Sequence, residues 1–163
     1  MPNAPFFKRI LVVCVGNICR SPTAAHLLHE ALAGSGCVVE SAGLAALVDK
    51  PIEPAALEIL HEHGQSPAPH AARQLTPALL AEASLVLVME KRQLQDIGRS
   101  TPQALGKTFL LGKWLGDCEI PDPYRQDKAA FARAYTLIDQ SVTAWAAKIR
   151  PPLSASASLR THH

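Results

Sequence analysis

An apolar run rich in β-branched residues, close to the start of the chain, constrains the fold more than any other feature. Residues 9–15 read RILVVCV, and the loop-forming pair Gly16-Asn17 follows directly. An unbroken apolar run of this length is typical of a strand that is buried on both faces, as strands are inside a parallel sheet. The run therefore predicts a strand at the centre of an α/β protein.

Strands and helices alternate along the rest of the chain. Three further apolar runs predict strands, and the stretches between them have the apolar spacing or the caps of helices. This alternation predicts a three-layer α/β sandwich with a central four-stranded parallel sheet flanked by helices. The predicted strands are residues 9–15, 37–41, 85–89 and 108–111. The predicted helices begin at Pro22, Pro54, Pro77, Glu90 and Asp127, and the last ends at Arg150 with one apolar face formed by Phe131, Tyr135, Ile138, Val142, Trp145 and Ile149.

Length, charge and the N-terminal sequence limit the organisation and the class of function. A chain of 163 residues suits one domain, which we predict over residues 1–150, and the low-complexity tail 151–163 is expected to be disordered. The net charge of +2 argues against nucleic-acid binding. The apolar run at residues 10–15 is too short for a signal-peptide core or a membrane span. We therefore expect a cytoplasmic protein without membrane insertion, with its four cysteines reduced.

The turn after the first strand has the chemistry of an anion-binding loop. Ligands of parallel sheets bind at the carboxyl ends of strands, and successive backbone N–H groups leading into a helix N-terminus attract phosphate. Gly16 and Asn17 tolerate the left-handed backbone of such a nest, and the guanidinium of Arg20 can hold two phosphate oxygens. Ser21 is predicted as the N-cap of the helix. The expected phosphate-binding loop comprises Val15, Gly16, Asn17, Ile18, Cys19, Arg20 and Ser21, directly after Cys14.

Cys14 and Asp122 are the candidate reactive groups. Helix N-termini and nearby cations stabilise thiolates, so we expect Cys14 to be an ionised nucleophile with Ser21 donating a hydrogen bond to its sulfur. The prolines on both sides of Asp122 keep its carboxylate out of helix and sheet pairing, where it can act as a general acid. A buried structural cysteine and an ordinary Asp-Pro turn are the alternatives that these residues leave open.

Taken together, these segments resemble the low-molecular-weight protein tyrosine phosphatases. The resemblance spans about residues 8–150 and rests on CVGNICRSP at 14–22, ESAG at 40–43, His70 with ARQ at 72–74, MEKR at 89–92 and DPY at 122–124. The segments ESAGLAALV and IPDPYRQ are similar to the bacterial branch that is associated with capsule and exopolysaccharide export. The partner implied for that branch is a phosphotyrosine protein, with a bacterial tyrosine autokinase as the expected substrate.

The resemblance implies a role for each matching residue. Cys14 would form a phosphocysteine, Arg20 and the loop amides would hold the phosphate oxygens, and Asp122 would serve as general acid and then as general base. The network that supports the loop would be Asn17, Ser21, Ser41 and His70. No metal and no cofactor are implied, since Arg20 and the loop supply the positive charge.

The cleft departs from the eukaryotic branch of that family. Arg125 stands where that branch has a second aromatic residue after Asp-Pro-Tyr, and Leu44 and Leu47 stand where it has an aromatic residue after Ser-Ala-Gly. We expect Leu44, Tyr124 and Arg125 to line a substrate cleft that is less aromatic and more basic. In the family, a cysteine placed like Cys19 can form a disulfide with the nucleophile. The equal alternative is that Cys19 is simply a small, buried apolar residue.

Three other functions are compatible with the same loop motif. An arsenate reductase of this fold would need redox cysteines between Cys37 and Cys118, and the sequence has none there. A phosphoarginine phosphatase is expected to carry threonine where this chain has Ile18. A phosphotyrosine-binding module without turnover would not need Cys14, Arg20 and Asp122 together. The histidine pairs 26/29 and 61/63 lack the spacing and additional ligands of a metal site.

Overall fold

Four parallel strands form the centre of the protein in a computed structural model that describes residues 7–150. The strands are β1 (Arg9–Cys14), β2 (Val38–Gly43), β3 (Leu85–Val88) and β4 (Thr108–Leu110), and their order in the sheet is β2-β1-β3-β4. Every neighbouring pair is parallel. The predicted four-stranded parallel sheet is therefore confirmed, with strand ends that differ from the prediction by one or two residues.

The unbroken apolar run of β1 reflects burial on both faces. Ile10 and Val12 belong to one hydrophobic core, whereas Leu11 and Val13 belong to a second core on the opposite face of the sheet. All four side chains are at most 1% exposed. Because successive side chains of a strand point to opposite faces, a strand between two cores carries apolar residues at every position. The three-layer sandwich follows from this arrangement.

Within the described residues, five α-helices cover the two faces of the sheet. They are α1 (Arg20–Ala31), α2 (Pro54–Glu62), α3 (Pro77–Glu82), α4 (Lys91–Ser100) and α5 (Lys128–Ile149), and a 3₁₀ helix spans Pro102–Lys107. Residues of α1, α2 and α5 pack in the first core, and residues of α3 and α4 pack in the second. The six residues predicted as the apolar face of α5 are all buried, which confirms that assignment.

The start of α1 differs from the prediction. The helix begins at Arg20 with Cys19 as its N-cap residue and without a side-chain cap, so Ser21 lies inside the first turn and is not the N-cap. The backbone N–H of Ser21 instead points at the sulfur of Cys14, at 3.4 Å. At least this N–H group in the first turn of α1 therefore faces the preceding strand end.

The structure bears on membrane insertion but not on the C-terminal tail. Within residues 7–150, no helix has the length and apolar content that crossing a membrane would require. The expected disordered tail, residues 151–163, lies outside the described residues. The predicted single domain of residues 1–150 stays a prediction as well.

Candidate active site

The carboxyl ends of β1, β2 and β3 meet at one edge of the sheet, and residues 14–21 turn there from β1 into α1. We call these residues the Cys14 loop. Asn17 has φ +60° and so supplies the left-handed turn. Gly16 does not have a positive φ, and a Cβ added to it would meet no atom closer than 3.7 Å. The expectation that Gly16 provides a left-handed conformation is therefore wrong, and Asn17 is the residue of this loop with a positive φ.

A short chain of hydrogen bonds leads from Asn17 to the sulfur of Cys14. The side-chain amide of Asn17 donates to the Oγ of Ser21 at 2.7 Å, and this oxygen lies 2.9 Å from the Sγ of Cys14. Since the hydroxyl of Ser21 already accepts from Asn17, its own hydrogen is free to be donated to the sulfur. A hydrogen bond donated in this way would stabilise negative charge on the sulfur of Cys14.

The orientation of Asn17 is itself fixed by three neighbours. Its Oδ1 accepts from the backbone N–H of Arg73 at 2.9 Å, so the amide nitrogen must face the other way. That nitrogen also donates to the Oγ of Ser41 at 3.0 Å. The Nε2 of His70 lies 2.6 Å from the backbone carbonyl oxygen of Asn17, to which it must donate. The structure thus brings Ser41 and His70, the expected supporting residues, into contact with the loop.

Arg20 is a buried cation at the floor of the site. Its side chain is 2% exposed, and it ion-pairs with Glu90 at 2.6 Å. The same nitrogen donates to the backbone carbonyl of Ile120 at 2.8 Å, and the other terminal nitrogen lies 3.6 Å from a carboxylate oxygen of Asp122. Buried guanidinium groups require such partners. Glu90 and Ile120 therefore hold the fork of Arg20 in place beside Cys14.

Asp122 lines the same cleft and has an accessible carboxylate. Its side chain is 44% exposed, and one oxygen accepts from the backbone N–H of Tyr124 at 3.0 Å. The loop is tied to the sheet just before Asp122, because the N–H of Ile120 donates to the carbonyl of Met89 at 3.0 Å. This places an exposed acid close to a buried cation and a thiol.

The cleft above the Cys14 loop has a volume of about 150 Å³. Ala45, Leu47 and Tyr124 form its walls, together with Asp122 and residues 14–20. Leu44, which we expected to line the cleft, instead packs against the second core; the next residues of the turn carry Leu47 over the cleft. Arg125 is not part of the lining, and its guanidinium lies 5.3 Å from the centre of the Tyr124 ring.

Cys19 is a second thiol in the wall of the cleft. Burial raises the pKa of the Cys19 thiol well above its usual range, and the negative charge of Cys14 raises it further. Cys19 is therefore a neutral thiol beside the candidate nucleophile. All four cysteines are free. Among residues 7–150, no group of three or more histidine, cysteine or acidic side chains is arranged to hold a metal ion.

The sequence did not identify three residues of this site. Glu90 and Arg73 were noted only as parts of the family resemblance, and Leu47 was named only beside Leu44. Glu90 could have been found, because it follows directly after a buried strand that neighbours β1 and a buried Arg20 needs a carboxylate. No sequence signal indicates that the backbone of Arg73 orients Asn17.

With this geometry established, the comparison with a family model is decisive. The model of the low molecular weight phosphotyrosine protein phosphatases matches residues 9–154. The chain belongs to this family. As a low molecular weight phosphatase it is an enzyme of the protein-tyrosine-phosphatase class, and the predicted resemblance is confirmed.

Relatives of this phosphatase include enzymes with two specificities. The low molecular weight protein-tyrosine-phosphatase Wzb of Escherichia coli K12 is 48% identical over 143 residues, which cover 86% of this chain and 94% of Wzb. The crystal structure of the tyrosine phosphatase Wzb from Escherichia coli K30 in complex with sulphate has a TM-score of 0.85 and 41% identity, covering 89% of this chain and all of that one. The YwlE arginine phosphatase from Geobacillus stearothermophilus has a TM-score of 0.80 and 32% identity, covering 95% and 97%.

Proposed function

We propose that this phosphatase hydrolyses phosphotyrosine in proteins through a phosphocysteine on Cys14. The observation that carries the proposal is the position of the Cys14 sulfur. It lies 2.9 Å from the hydroxyl of Ser21, at the end of a strand and before a helix N-terminus, with Arg20 and Asp122 in the same cleft. A nucleophile, an anion cradle and an exposed acid are the parts that phosphoryl transfer from an aryl ester requires.

In the first step the thiolate of Cys14 attacks phosphorus in line with the tyrosine oxygen. The sulfur–phosphorus bond forms while the phosphorus–oxygen bond breaks, and the proton of the Asp122 carboxyl goes to the departing tyrosine oxygen. The backbone N–H groups of the Cys14 loop and the fork of Arg20 hold the remaining oxygens, whose charge they stabilise. Protonating the leaving group contributes about 10²–10⁴-fold to the rate.

In the second step water hydrolyses the phosphocysteine. The carboxylate of Asp122 takes a proton from the attacking water, the sulfur–phosphorus bond breaks, and inorganic phosphate forms. The electron pair returns to the sulfur of Cys14, where the hydroxyl of Ser21 stabilises it. Ser21 thus assists both steps, because the same atom is nucleophile in one and leaving group in the other.

The walls of the cleft support an aryl substrate over phosphoarginine. Ile18 and Leu47 provide apolar surface, and the ring of Tyr124 faces the cleft. An aromatic ring of tyrosine can contact such walls with its flat faces, whereas the charged guanidinium of phosphoarginine would lose its hydration there. An arsenate reductase is not supported, since no further cysteine lies between Cys37 and Cys118.

We further propose a bacterial tyrosine autokinase of exopolysaccharide export as the protein substrate, dephosphorylated in the cytoplasm. This assignment is supported by the resemblance of the loops at residues 40–48 and 120–126 to the bacterial branch. The exposed guanidinium of Arg125 beside Tyr124 would favour acidic residues next to the phosphotyrosine.

The test is an assay of the reduced protein, in the presence of a chelator, on phosphotyrosine, phosphoserine and phosphoarginine peptides. We expect turnover of phosphotyrosine, no turnover by Cys14→Ser, and about 10²–10⁴-fold slower turnover by Asp122→Asn. The loss in Asp122→Asn should shrink for aryl phosphates with more acidic phenols, which need no proton. Cleavage of phosphoarginine alone would overturn the specificity, and binding without any turnover would make the protein a phosphotyrosine-binding module.

A further inference from the structure

One wall of the cleft is formed by the turn that follows β2. We call residues 44–48 the wall loop. It contributes Ala45 and Leu47 to the cleft, and Leu47 as a whole residue is 41% exposed. A residue so exposed has little packing to fix its position. The position of this wall must therefore depend on how the backbone of the loop is held.

One edge of the wall loop is bonded to the Cys14 loop. The N–H groups of Leu44, Ala45 and Leu47 donate to backbone carbonyls of the Cys14 loop at 2.9, 2.9 and 3.0 Å. The acceptors are the carbonyls of residues 14, 15 and 16. These three bonds leave the N–H of Ala46 and the carbonyl of Leu44 facing the other way.

Gln74 satisfies both of these remaining groups. Its Oε1 accepts from the N–H of Ala46 at 2.9 Å, and its Nε2 donates to the carbonyl oxygen of Leu44 at 2.8 Å. The amide orientation is consistent with both bonds, because only the oxygen can accept and only the nitrogen can donate. The side chain of Gln74 thus occupies the place of a neighbouring strand along the outer edge of the wall loop.

The backbone around Gln74 also holds both ends of the loop. The N–H of Gly43 donates to the carbonyl of Arg73 at 2.9 Å, and the N–H of Asp49 donates to the carbonyl of Ala72 at 2.8 Å. The backbone of residues 72–75 therefore holds both ends of the wall loop. Within these four residues, the side-chain amide of Gln74 is the group that bonds to the middle of the loop, next to the residues that line the cleft.

We propose that Gln74 is a positioning residue that sets the aryl-binding wall of the cleft and so contributes to the preference for aryl phosphates. The inference rests on the proposed function for the identity of the substrate. Gln74 acts through the wall loop and Leu47, because its side-chain amide bonds to the backbone of Ala46 and Leu44. Its loss should weaken binding of the aryl group while leaving phosphate binding intact.

The experiment compares Gln74→Ala, Leu47→Ala and the double variant with wild type. The measurements are kcat and KM for an aryl phosphate, and inhibition constants for phenylphosphonate and inorganic phosphate. We expect Gln74→Ala to raise KM and the phenylphosphonate constant about threefold to tenfold, as for the loss of one or two hydrogen bonds. The values of kcat and the phosphate constant should stay within about twofold. Gln140→Ala, on an exposed position of α5, is the matched control and should change nothing.

The double variant separates positioning from a general structural effect. If Gln74 acts through Leu47, the double variant binds phenylphosphonate no more weakly than Leu47→Ala alone. Fully additive losses, or an equal rise in the phosphate constant, would overturn the inference. Calorimetric binding of phenylphosphonate and phosphate gives the same comparison without turnover. A wild type that does not cleave phosphotyrosine would therefore refute the proposed function and still test the role of Gln74.

Discussion

The carboxylate of Glu90 lies 2.6 Å from a guanidinium nitrogen of Arg20, whose side chain is almost fully buried. Glu90 is also the N-cap residue of α4, and its backbone N–H donates to the side-chain oxygen of Gln93 at 3.1 Å. A residue that caps a helix cannot move freely. The guanidinium of Arg20, the proposed phosphate-binding cation, is therefore held by the first residues of a helix that begins after β3, seventy residues further along the chain.

Replacing Glu90 by alanine should destabilise the protein in a way that phosphate reverses. The variant leaves a buried cation without its main counter-charge, and we expect a loss of about 2 kcal/mol, since Glu90 itself is partly exposed. For a domain of this size that corresponds to roughly 4–8 °C in Tm. Thermal unfolding with and without inorganic phosphate measures this effect.

In that experiment phosphate should raise the Tm of Glu90→Ala more than that of wild type, because the bound anion replaces the missing carboxylate. Glu30→Ala, at an exposed position of α1, is the control. Equal stabilisation of both proteins by phosphate would show that Arg20 does not depend on Glu90.

Replacing Ser21 by alanine should slow the breakdown of the phosphocysteine. The hydroxyl lies 2.9 Å from the sulfur, and hydrogen bonds to charged groups contribute about 1.5–3 kcal/mol, or roughly 10–100-fold in rate. Because the sulfur is the leaving group of the second step, the intermediate should accumulate. Stopped-flow kinetics on an aryl phosphate should then show a burst of phenol approaching one equivalent of enzyme. A variant that is slower without any burst contradicts this role.

Replacing Gly43 by alanine should displace the Cys14 loop. A Cβ at this position would lie 2.4 Å from the carbonyl oxygen of Val15 and 3.0 Å from the Cβ of Asn17. Main-chain atoms must move to relieve that contact, and misplacing a catalytic group by about 1 Å can cost about 10²-fold in rate. We expect a fall of this order in kcat/KM.

The matched control for Gly43→Ala is Gly106→Ala. An added Cβ there has no neighbour within 4 Å, and Gly106 does not have a positive φ. This variant should keep full activity. If Gly43→Ala also keeps full activity, the close approach of β2 to the Cys14 loop is not needed for catalysis.

Cys19 should resist alkylation in the folded protein. Its thiol is buried, and its raised pKa means that it stays protonated at every pH up to well above neutral, so the reactive thiolate is scarce. We expect iodoacetamide at pH 8 to leave Cys19 unmodified until the protein is denatured. Peptide mass spectrometry gives the labelling at each cysteine. Labelling of Cys19 as fast as that of the half-buried Cys37 or Cys118 would contradict this expectation.

Several elements of the fold could be predicted because their signals are local. The apolar run of β1 reports burial on two faces, Pro77 begins α3 as predicted, and the apolar spacing of α5 identifies its buried face. The predicted ends of helices and strands were less accurate. Ser21 has the chemistry of an N-cap, but its hydroxyl is occupied by Asn17 and Cys14.

Some parts of the candidate site could be predicted and others could not, because some depend on local preferences and others on long-range contacts. A strand, a loop with a left-handed residue and a helix could be predicted at residues 9–31, because steric and hydrogen-bonding preferences within a few residues are enough to form them. Three contacts could not: Glu90 faces Arg20, Gln74 supports the wall loop, and Leu47 rather than Leu44 lines the cleft. These contacts depend on the strand order β2-β1-β3 and on the path of a turn, which arise from long-range packing that no short stretch of sequence contains.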